Sequence, residues 1–280
     1  MADSGEGQFS QRRAFCAGLG SAHRNKCRPV ALQKGEKMRK ISMAFSVAIV
    51  LAVPCAAVAV LGTVETAFDD YGVGGYAKVW GGGLTGVWTY SGLRILQKSG
   101  GTGQGELWAD GPIAAFCIEL NQRVSKNTLV YDVIMPENAP TPQTSLGGPM
   151  GALKAGYIGE LWQAHFEPEW LGAGDGYSPE AEAFQIAIWE IVYEDIPEIS
   201  APEWDVEVDG TDGPLGFRCK YAATTLANEW LGELTGQGTQ AQLLALVHPC
   251  RQDFVSEVPE PTVIMLLGLG TVILLRKRKA

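Results

Sequence analysis

Three cysteines in the central part of the chain, Cys117, Cys219 and Cys250, are the residues best suited to covalent chemistry. Thiols can pair as disulfides, bind metals or act as nucleophiles. Under oxidising conditions thiols are expected to pair, but three cysteines cannot all pair within one chain. Cys219 and Cys250, both in polar stretches of the second half, form the predicted disulfide. Cys117 is then left as a reactive thiol or an intermolecular partner.

A second chemically notable residue is Gln185, the one amide in the apolar helical stretch FQIAIW at residues 184–189. Gln185 and Trp189 lie one turn apart on one face of this helix. An amide buried there needs hydrogen-bond partners. Cys117 lies in the stretch AFCIEL at residues 115–120, whose apolar character is typical of a strand. The predicted buried stripe of the helix consists of Phe184, Ile188, Ile191 and Val192.

Together these two stretches resemble the thioester domains of bacterial surface adhesins. Those domains carry an aromatic-or-Leu, Cys, apolar motif on a strand and, further along, an apolar-Gln-x-x-apolar-apolar motif on a helix. Phe116-Cys117-Ile118 and residues 184–189 match both motifs in that order. The sequence departs at Phe184, where the Gram-positive examples often have Thr, and those adhesins end in a different wall anchor.

The resemblance implies an intramolecular thioester, formed when the Cys117 sulfur attacks the Gln185 side-chain carbonyl and ammonia leaves. Proximity would make this reaction possible, because it replaces an encounter between separate molecules. Apolar walls from Phe116, Ile188 and Trp189 are expected to exclude water. A target amine such as a lysine would then attack the carbonyl and become covalently attached. This chemistry needs no cofactor, and it makes the protein a binding module and not an enzyme.

Two other functions stay open from the residues alone. A free Cys is often a small buried hydrophobe and a helical Gln often lies on the surface, which would leave a non-catalytic structural protein of the extracellular matrix. A cysteine hydrolase is the third possibility, although no His stands in a recognisable catalytic context. For metals, Asp205, Glu207 and Asp209 alternate like the start of a calcium loop. The twelfth position is Gly216 where a Glu is needed, so we predict an acidic turn and only a weak calcium candidate.

The N-terminal region carries an export pattern. Residues 38–59 combine Arg39 and Lys40, an apolar run at 44–53 and the small-residue end Ala57-Val58-Ala59, which predicts a secretory signal peptide. Pro54 stands before Cys55 where a lipoprotein needs a small residue, so lipidation is not expected. Residues 1–37 lack apolar periodicity, and we interpret them as a mis-called upstream extension of a chain that starts at Met38.

The C-terminal region, residues 258–280, has Pro259-Glu260-Pro261, then an apolar run at 262–275 and a basic end at 276–279. The run is short for a spanning helix, and the basic end would stay cytoplasmic. This order closely resembles the PEP-CTERM sorting signal, with Thr262 where Ala is more usual. The resemblance implies processing by an exosortase, transient insertion in the inner membrane of a Gram-negative-type cell, and delivery to the surface or its polysaccharide matrix.

Charge restricts the partners of the exported part. Residues 60–258 contain 27 acidic and nine basic residues, so this region is strongly anionic. A domain of this charge is a poor partner for nucleic acid, whose phosphates need a basic face. The ligand we expect is instead an amine-bearing or polysaccharide surface.

The elements that must position Cys117 and Gln185 predict an α+β domain over residues 60–257. Strand signals at 76–80, 86–90, 113–120 and 128–135 come first, helical signals at 152–166, 179–196 and 220–234 follow, and strands return at 243–247 and 254–258. We therefore expect a β-rich sandwich or barrel framework with an inserted helical section. An N-terminal signal helix and a C-terminal hydrophobic tail helix complete the prediction.

Overall fold

The computed structural model describes residues 58–140, 149–194, 196, 202–208 and 216–259. Within these ranges the chain forms seven strands and three α-helices, and none of the helices is long and apolar enough to cross a bilayer. The strands are β1 (Gly62–Gly81), β2 (Leu84–Gly103), β3 (Gly111–Cys117), β4 (Leu129–Ile134), β5 (Phe217–Lys220), β6 (Leu243–His248) and β7 (Arg251–Glu257). The helices are α1 (Ala152–His165), α2 (Pro179–Tyr193) and α3 (Thr224–Glu233).

Six of the strands close into an antiparallel barrel. β1 pairs with β2, β2 with β3, β3 with β7, β7 with β6, β6 with β4, and β4 returns to β1. Within the ring, closure gives each strand a neighbour on both sides, which removes the edges that invite aggregation from this part of the sheet. The fifth strand stays outside the ring and pairs only with the end of β1. The predicted β framework is thus a closed barrel with one added strand.

The barrel interior is filled by apolar side chains that alternate along each strand. Residues that face each other across a pair share one side of the sheet, so Val64 with Tyr131 and Leu246 with Phe254 point inward together. The members of this inner cluster are all buried. It consists of Val64, Phe68, Leu96, Trp108, Ile113, Ala115, Tyr131, Val133, Leu244, Leu246 and Phe254.

The β1–β2 hairpin is much longer than the barrel. Each strand has 20 residues, and the hairpin closes through Gly82 and Gly83, both with positive φ as a two-residue type I′ turn requires. β4 pairs with the first residues of β1 and β5 with the last. Midway, a Cβ on Gly74 would lie 2.7 Å from the Cα of Gly92, so only glycines allow the two strands to approach this closely. The hairpin therefore extends beyond the barrel as an arm.

Helix α2 lies at the centre of a second core on the outer side of the sheet. Ser178 caps it by accepting the Ala181 N–H, and Pro179 occupies its first position, as the sequence predicts. All residues from Ala181 to Tyr193 are buried, whereas an apolar stripe on one face was expected. A helix buried on every side is enclosed by its neighbours, here the sheet, α1 and α3.

The structure confirms a β-rich framework with an inserted helical section, and corrects its details. The predicted strands at 76–80 and 86–90 are parts of the long β1 and β2. The helix predicted from Lys220 begins at Thr224, because Phe217–Lys220 forms β5. The signal helix at 38–59 and the tail helix at 258–280 lie almost wholly outside the described residues.

Asp253 on β7 yields a pH prediction. Burial raises the pKa of its carboxyl to about 7. The backbone N–H of His248, which donates to this carboxyl at 2.8 Å, lowers the pKa but does not offset the effect of burial. Because the native carboxyl holds its proton above the pH at which the unfolded one loses it, stability should fall as pH rises from about 4 to about 7. Asp253→Asn should flatten this decline, by at most about 1.4 kcal/mol per pH unit. Urea unfolding at several pH values measures it.

The exposed Asp132 on β4 provides the matched control for this experiment. Asp132→Asn should leave the pH dependence of the unfolding free energy as it is in the parent protein. An Asp253→Asn variant with an unchanged decline between these pH values would contradict the assignment.

Candidate functional site

Gln185 and Cys117, 68 residues apart in sequence, are in direct contact. The Cys117 backbone N–H donates to Gln185 Oε1 at 2.9 Å, and Gln185 Nε2 donates to the Cys117 carbonyl at 2.8 Å. Both residues are fully buried. This pair of hydrogen bonds fixes the amide orientation, since the reverse orientation would place donor against donor and acceptor against acceptor.

The local strand geometry explains why the helix can take this position. β2 pairs with β3 only as far as Arg94 opposite Ala115, and the two strands separate beyond it. On the other side of β3, the Ile118 N–H donates to the Asp253 carbonyl, so the backbone groups of Cys117 point toward the missing β2 partner. The Gln185 amide fills that place and satisfies both groups.

The thiol of Cys117 is kept neutral by its surroundings. Burial raises its pKa to about 12, while Arg94, the Glu119 backbone and the Trp189 indole favour the thiolate. The Trp189 N–H is buried and has no hydrogen-bond partner of ordinary geometry among the described residues, although it lies close to the thiol. In the resting protein the thiol is therefore protonated, with groups nearby that would stabilise a negative charge on sulfur.

Arg94 is a residue of this site that the sequence analysis did not single out. It is 3% exposed, donates to the carbonyls of Tyr90 (2.8 Å) and Gly92 (2.9 Å), and lies over the rings of Tyr71 and Tyr90. Burial lowers its pKa, and its charge interacts favourably with Cys117. Among the described residues it makes no ion pair with a carboxylate, which is unusual for a buried guanidinium. A lone Arg between the apolar Leu93 and Ile95 was the signal available in the sequence.

The predicted apolar walls are all buried but do not all face the thiol. Trp189 lies beside Cys117, as expected. The ring of Phe116 instead packs against the aromatic rings of the helical side, with centroids 4.7 Å from Phe184 and 5.5 Å from Trp162. This follows from alternation along the strand, because neighbours in β3 point to opposite faces. Ile188 belongs to the same outer core, and so do Cys117 and Trp189.

The predicted disulfide between Cys219 and Cys250 is not formed, and all three cysteines of the described part are free. Cys219 is buried on β5 at the end of the hairpin arm, while Cys250 is exposed in the turn between β6 and β7. The polar stretches around both residues were the ground for pairing them. The pairing of β5 with β1 places one of them in the core instead.

The calcium candidates are used in local hydrogen bonds. Glu207 accepts from the Thr224 hydroxyl at 2.7 Å, and Asp205 accepts from the Glu207 N–H at 3.0 Å. Asp209 lies outside the described residues, and within them no cluster of three or more possible ligands could hold a metal. Of the described histidines, His165 stacks on Trp230, and His248 accepts the Cys250 N–H. These partners place neither in contact with the Cys117 thiol.

The C-terminal end of the fold is anchored at Glu257, the last residue of β7. The Glu257 carbonyl accepts from the Trp108 indole at 2.8 Å, its carboxylate accepts from Trp162 at 3.1 Å, and Pro259 is exposed beyond the strand. Residues 257–279 match the family model of the PEP-CTERM protein-sorting motif. The chain carries a PEP-CTERM signal. Of the predicted motif, Glu260 and Pro261 lie outside the described residues.

The PEP-CTERM signal indicates an exported protein that is processed by an exosortase and passes through a membrane-associated sorting step. Its match begins at Glu257, the last residue of β7, so the barrel is complete where the signal starts. Neither the curated proteins nor the solved structures gave a match to the chain.

The contact between Gln185 and Cys117 should contribute to stability even where no covalent bond can form. In a Cys117→Ala background, Gln185→Ala should lower the unfolding free energy by about 2–4 kcal/mol, because a buried N–H and a buried carbonyl lose their partners. Denaturant titration measures the difference.

The exposed Gln163 of α1 is a matched control, since it is also a helical glutamine. Gln163→Ala should change stability by less than about 0.5 kcal/mol in the same background. Equal effects of the two substitutions would show that the Gln185 amide does not hold the strand.

Proposed function

We propose that the exported domain is an adhesin-like binding module that attaches covalently to amine-bearing surfaces through a thioester between Cys117 and Gln185. The observation that carries the proposal is the contact between the Gln185 amide and the Cys117 backbone, made by both polar ends of the amide. The match of two sequence motifs and the free state of Cys117 give further support.

Thioester formation would use groups already in place. The Cys117 sulfur attacks the Gln185 side-chain carbon, the thiol proton passes to the amide nitrogen, and ammonia leaves as the sulfur–carbon bond is completed. Negative charge develops on Oε1 during the attack, and the Cys117 N–H is already donating to that oxygen at 2.9 Å. A donor preorganised in a dry site stabilises such an oxyanion more strongly than water does.

Opening of the thioester by a target amine is the binding step. The amine nitrogen attacks the carbonyl carbon, an amide forms at Gln185, and Cys117 departs as a thiolate that regains a proton. Arg94 is the cation that would stabilise the departing thiolate, because it is buried without a carboxylate among the described residues and its charge interacts with Cys117. A buried thiolate without a cation would be a poor leaving group.

Burial of the site would also protect the bond. Cys117, Gln185 and Trp189 are all fully buried, so water reaches the thioester only when the fold opens locally. The same burial implies that an amine must be brought to the site and held there while it opens. We therefore expect slow hydrolysis and slow reaction with small amines free in solution.

The site of action follows from the sorting signal. The PEP-CTERM motif supports transient insertion of the tail in the inner membrane, processing by an exosortase and delivery to the cell surface or extracellular matrix of a Gram-negative-type bacterium. We propose that the partner there is an amine-bearing or polysaccharide surface, and that the protein binds it and does not turn it over.

Intact mass of the exported protein tests the thioester. The purified chain should be lighter by one ammonia than the sequence between its processed ends requires, and methylamine should add to it while a new thiol becomes titratable. Cys117→Ala and Gln185→Ala should each abolish both effects, because the bond needs both side chains. Cys250→Ser, which removes an exposed thiol, should keep them.

A mass equal to the sequence mass in the parent protein, unchanged by methylamine, would instead favour a non-catalytic structural protein of the matrix. Turnover of an ester or peptide that is lost in Cys117→Ala would favour a hydrolase. These readouts separate the three functions with one set of variants.

Arg94 can be tested by the rate of thioester opening. Arg94→Gln should slow the reaction with methylamine by roughly tenfold or more, since a buried charge that stabilises the leaving group is lost. Arg94→Lys should restore part of the rate. The control is Lys98, a cation on the same strand that pairs with Asp110, and Lys98→Gln should leave the rate unchanged. Equal slowing by the Gln and Lys variants of Arg94 would indicate a packing role only.

A further inference from the structure

The end of the hairpin arm displays a set of aromatic and basic side chains, here called the arm platform. Its exposed rings are Tyr76, Trp88 and Tyr221, at 59%, 57% and 74% of their full exposure. Its cations are Lys78, Arg218 and Lys220, on β1 and β5. Large exposed rings that are grouped together mark interaction sites more often than scattered ones do.

Strand register places most of these side chains on one face. Lys78 pairs with Trp88 on β2 and with Lys220 on β5, and Arg218 pairs with Trp80 of β1. Tyr76, Lys78 and Trp80 alternate along β1 and therefore point the same way. The helices pack on the opposite face of the arm, where Ala77 and Val79 are fully buried. Within the part of the chain that the structure describes, the platform face is thus left open.

The rings and cations are held in fixed positions. Arg218 lies over the Trp80 ring at 4.3 Å and Lys78 at 5.5 Å, while the Trp88 and Tyr221 rings stack with centroids 5.9 Å apart. Tyr221 has a φ of 60°, a left-handed conformation that is unfavourable for a residue with a side chain. Such strain at an exposed aromatic residue is typical of functional positions.

The charge of the platform is opposite to that of the domain. No acidic residue occurs at 71–105 or 216–228, whereas residues 60–258 as a whole carry 27 acids against nine bases. Lys78 and Lys220 also face each other directly across β1 and β5. Like charges in that arrangement destabilise a sheet, so folding alone does not account for them. An anionic ligand lying between the two lysines would attract both and offset their repulsion.

We propose that the arm platform binds an acidic polysaccharide. Sugar rings would stack on Trp88, Tyr221 and Tyr76, and the carboxylates or sulfates of the chain would pair with the three cations. A repeating polymer suits a row of alternating rings and charges on an open strand face. Nucleic acid fits less well, because its dense phosphate charge is repelled by the acidic remainder of the domain. The proposal is independent of the thioester.

The test uses the full-length protein and polygalacturonate as the acidic probe, with dextran as the neutral one and single-stranded DNA as the competing class. Affinity electrophoresis and titration calorimetry should show binding to polygalacturonate that weakens with salt, and none to dextran. Trp88→Ala combined with Tyr221→Ala should weaken this binding tenfold or more, and Lys220→Gln severalfold.

Matched controls lie elsewhere on the surface. Lys126→Gln removes an exposed cation in the loop after β3, and Val130→Ala trims an exposed apolar residue of β4; both should bind as the parent does. Circular dichroism checks that the platform variants are folded. Cys117→Ala should bind normally, which separates this proposal from the thioester. Absence of polygalacturonate binding, tighter binding to DNA, or equal losses in platform and control variants would overturn the proposal.

Discussion

The two hydrogen bonds between the Gln185 amide and the Cys117 backbone are the interaction on which the arrangement of the domain depends. A strand at the end of its pairing leaves a buried N–H and carbonyl that need partners. Here the partners come from the central helix, so one side chain ties α2 to the barrel at the point where β2 and β3 separate. The same contact places a carboxamide beside a thiol. Structural need and reactive geometry therefore coincide in one residue pair.

The long β1–β2 hairpin connects this site to the rest of the molecule. The half of the hairpin that contains both strand ends, Gly62 and Gly103, forms part of the barrel wall. It includes Arg94, which pairs with Ala115 of the inner core and whose charge interacts with Cys117. The half that contains the turn at Gly82 and Gly83 extends beyond the barrel. One face of this half covers α2, and the opposite face presents the exposed rings. The close approach of Gly74 and Gly92 lies between the two halves, and side chains there would force the strands apart.

The sequence predicted the classes of elements better than their extent. Alternation around Tyr76 and Trp88 indicated strands, but glycines nearby suggested breaks where the chain in fact continues through close strand contacts. With four residues, β5 is too short to show a periodic pattern in the sequence. It also lies next to α3, whose helical pattern is stronger. The match of motifs predicted that Cys117 and Gln185 belong together. That the contact runs through the backbone was not predictable, since it depends on where strand pairing ends. Arg94 was missed because a single cation between two apolar residues is a weak signal, and it does not show which side of a strand is buried.

A chain of ring contacts runs from the platform to Arg94. The Tyr76 ring meets the Tyr90 ring at 5.4 Å, and Tyr90 lies 4.6 Å from the Arg94 guanidinium, whose charge interacts with Cys117. A polymer held on the arm would supply what the buried site lacks, which is a ligand kept nearby during rare openings of the fold. Reversible binding at the platform raises the local concentration of any amine on the same matrix, so even a slow covalent step becomes effective. Binding at the arm platform through charge and stacking would then come first, and covalent attachment through the thioester would follow.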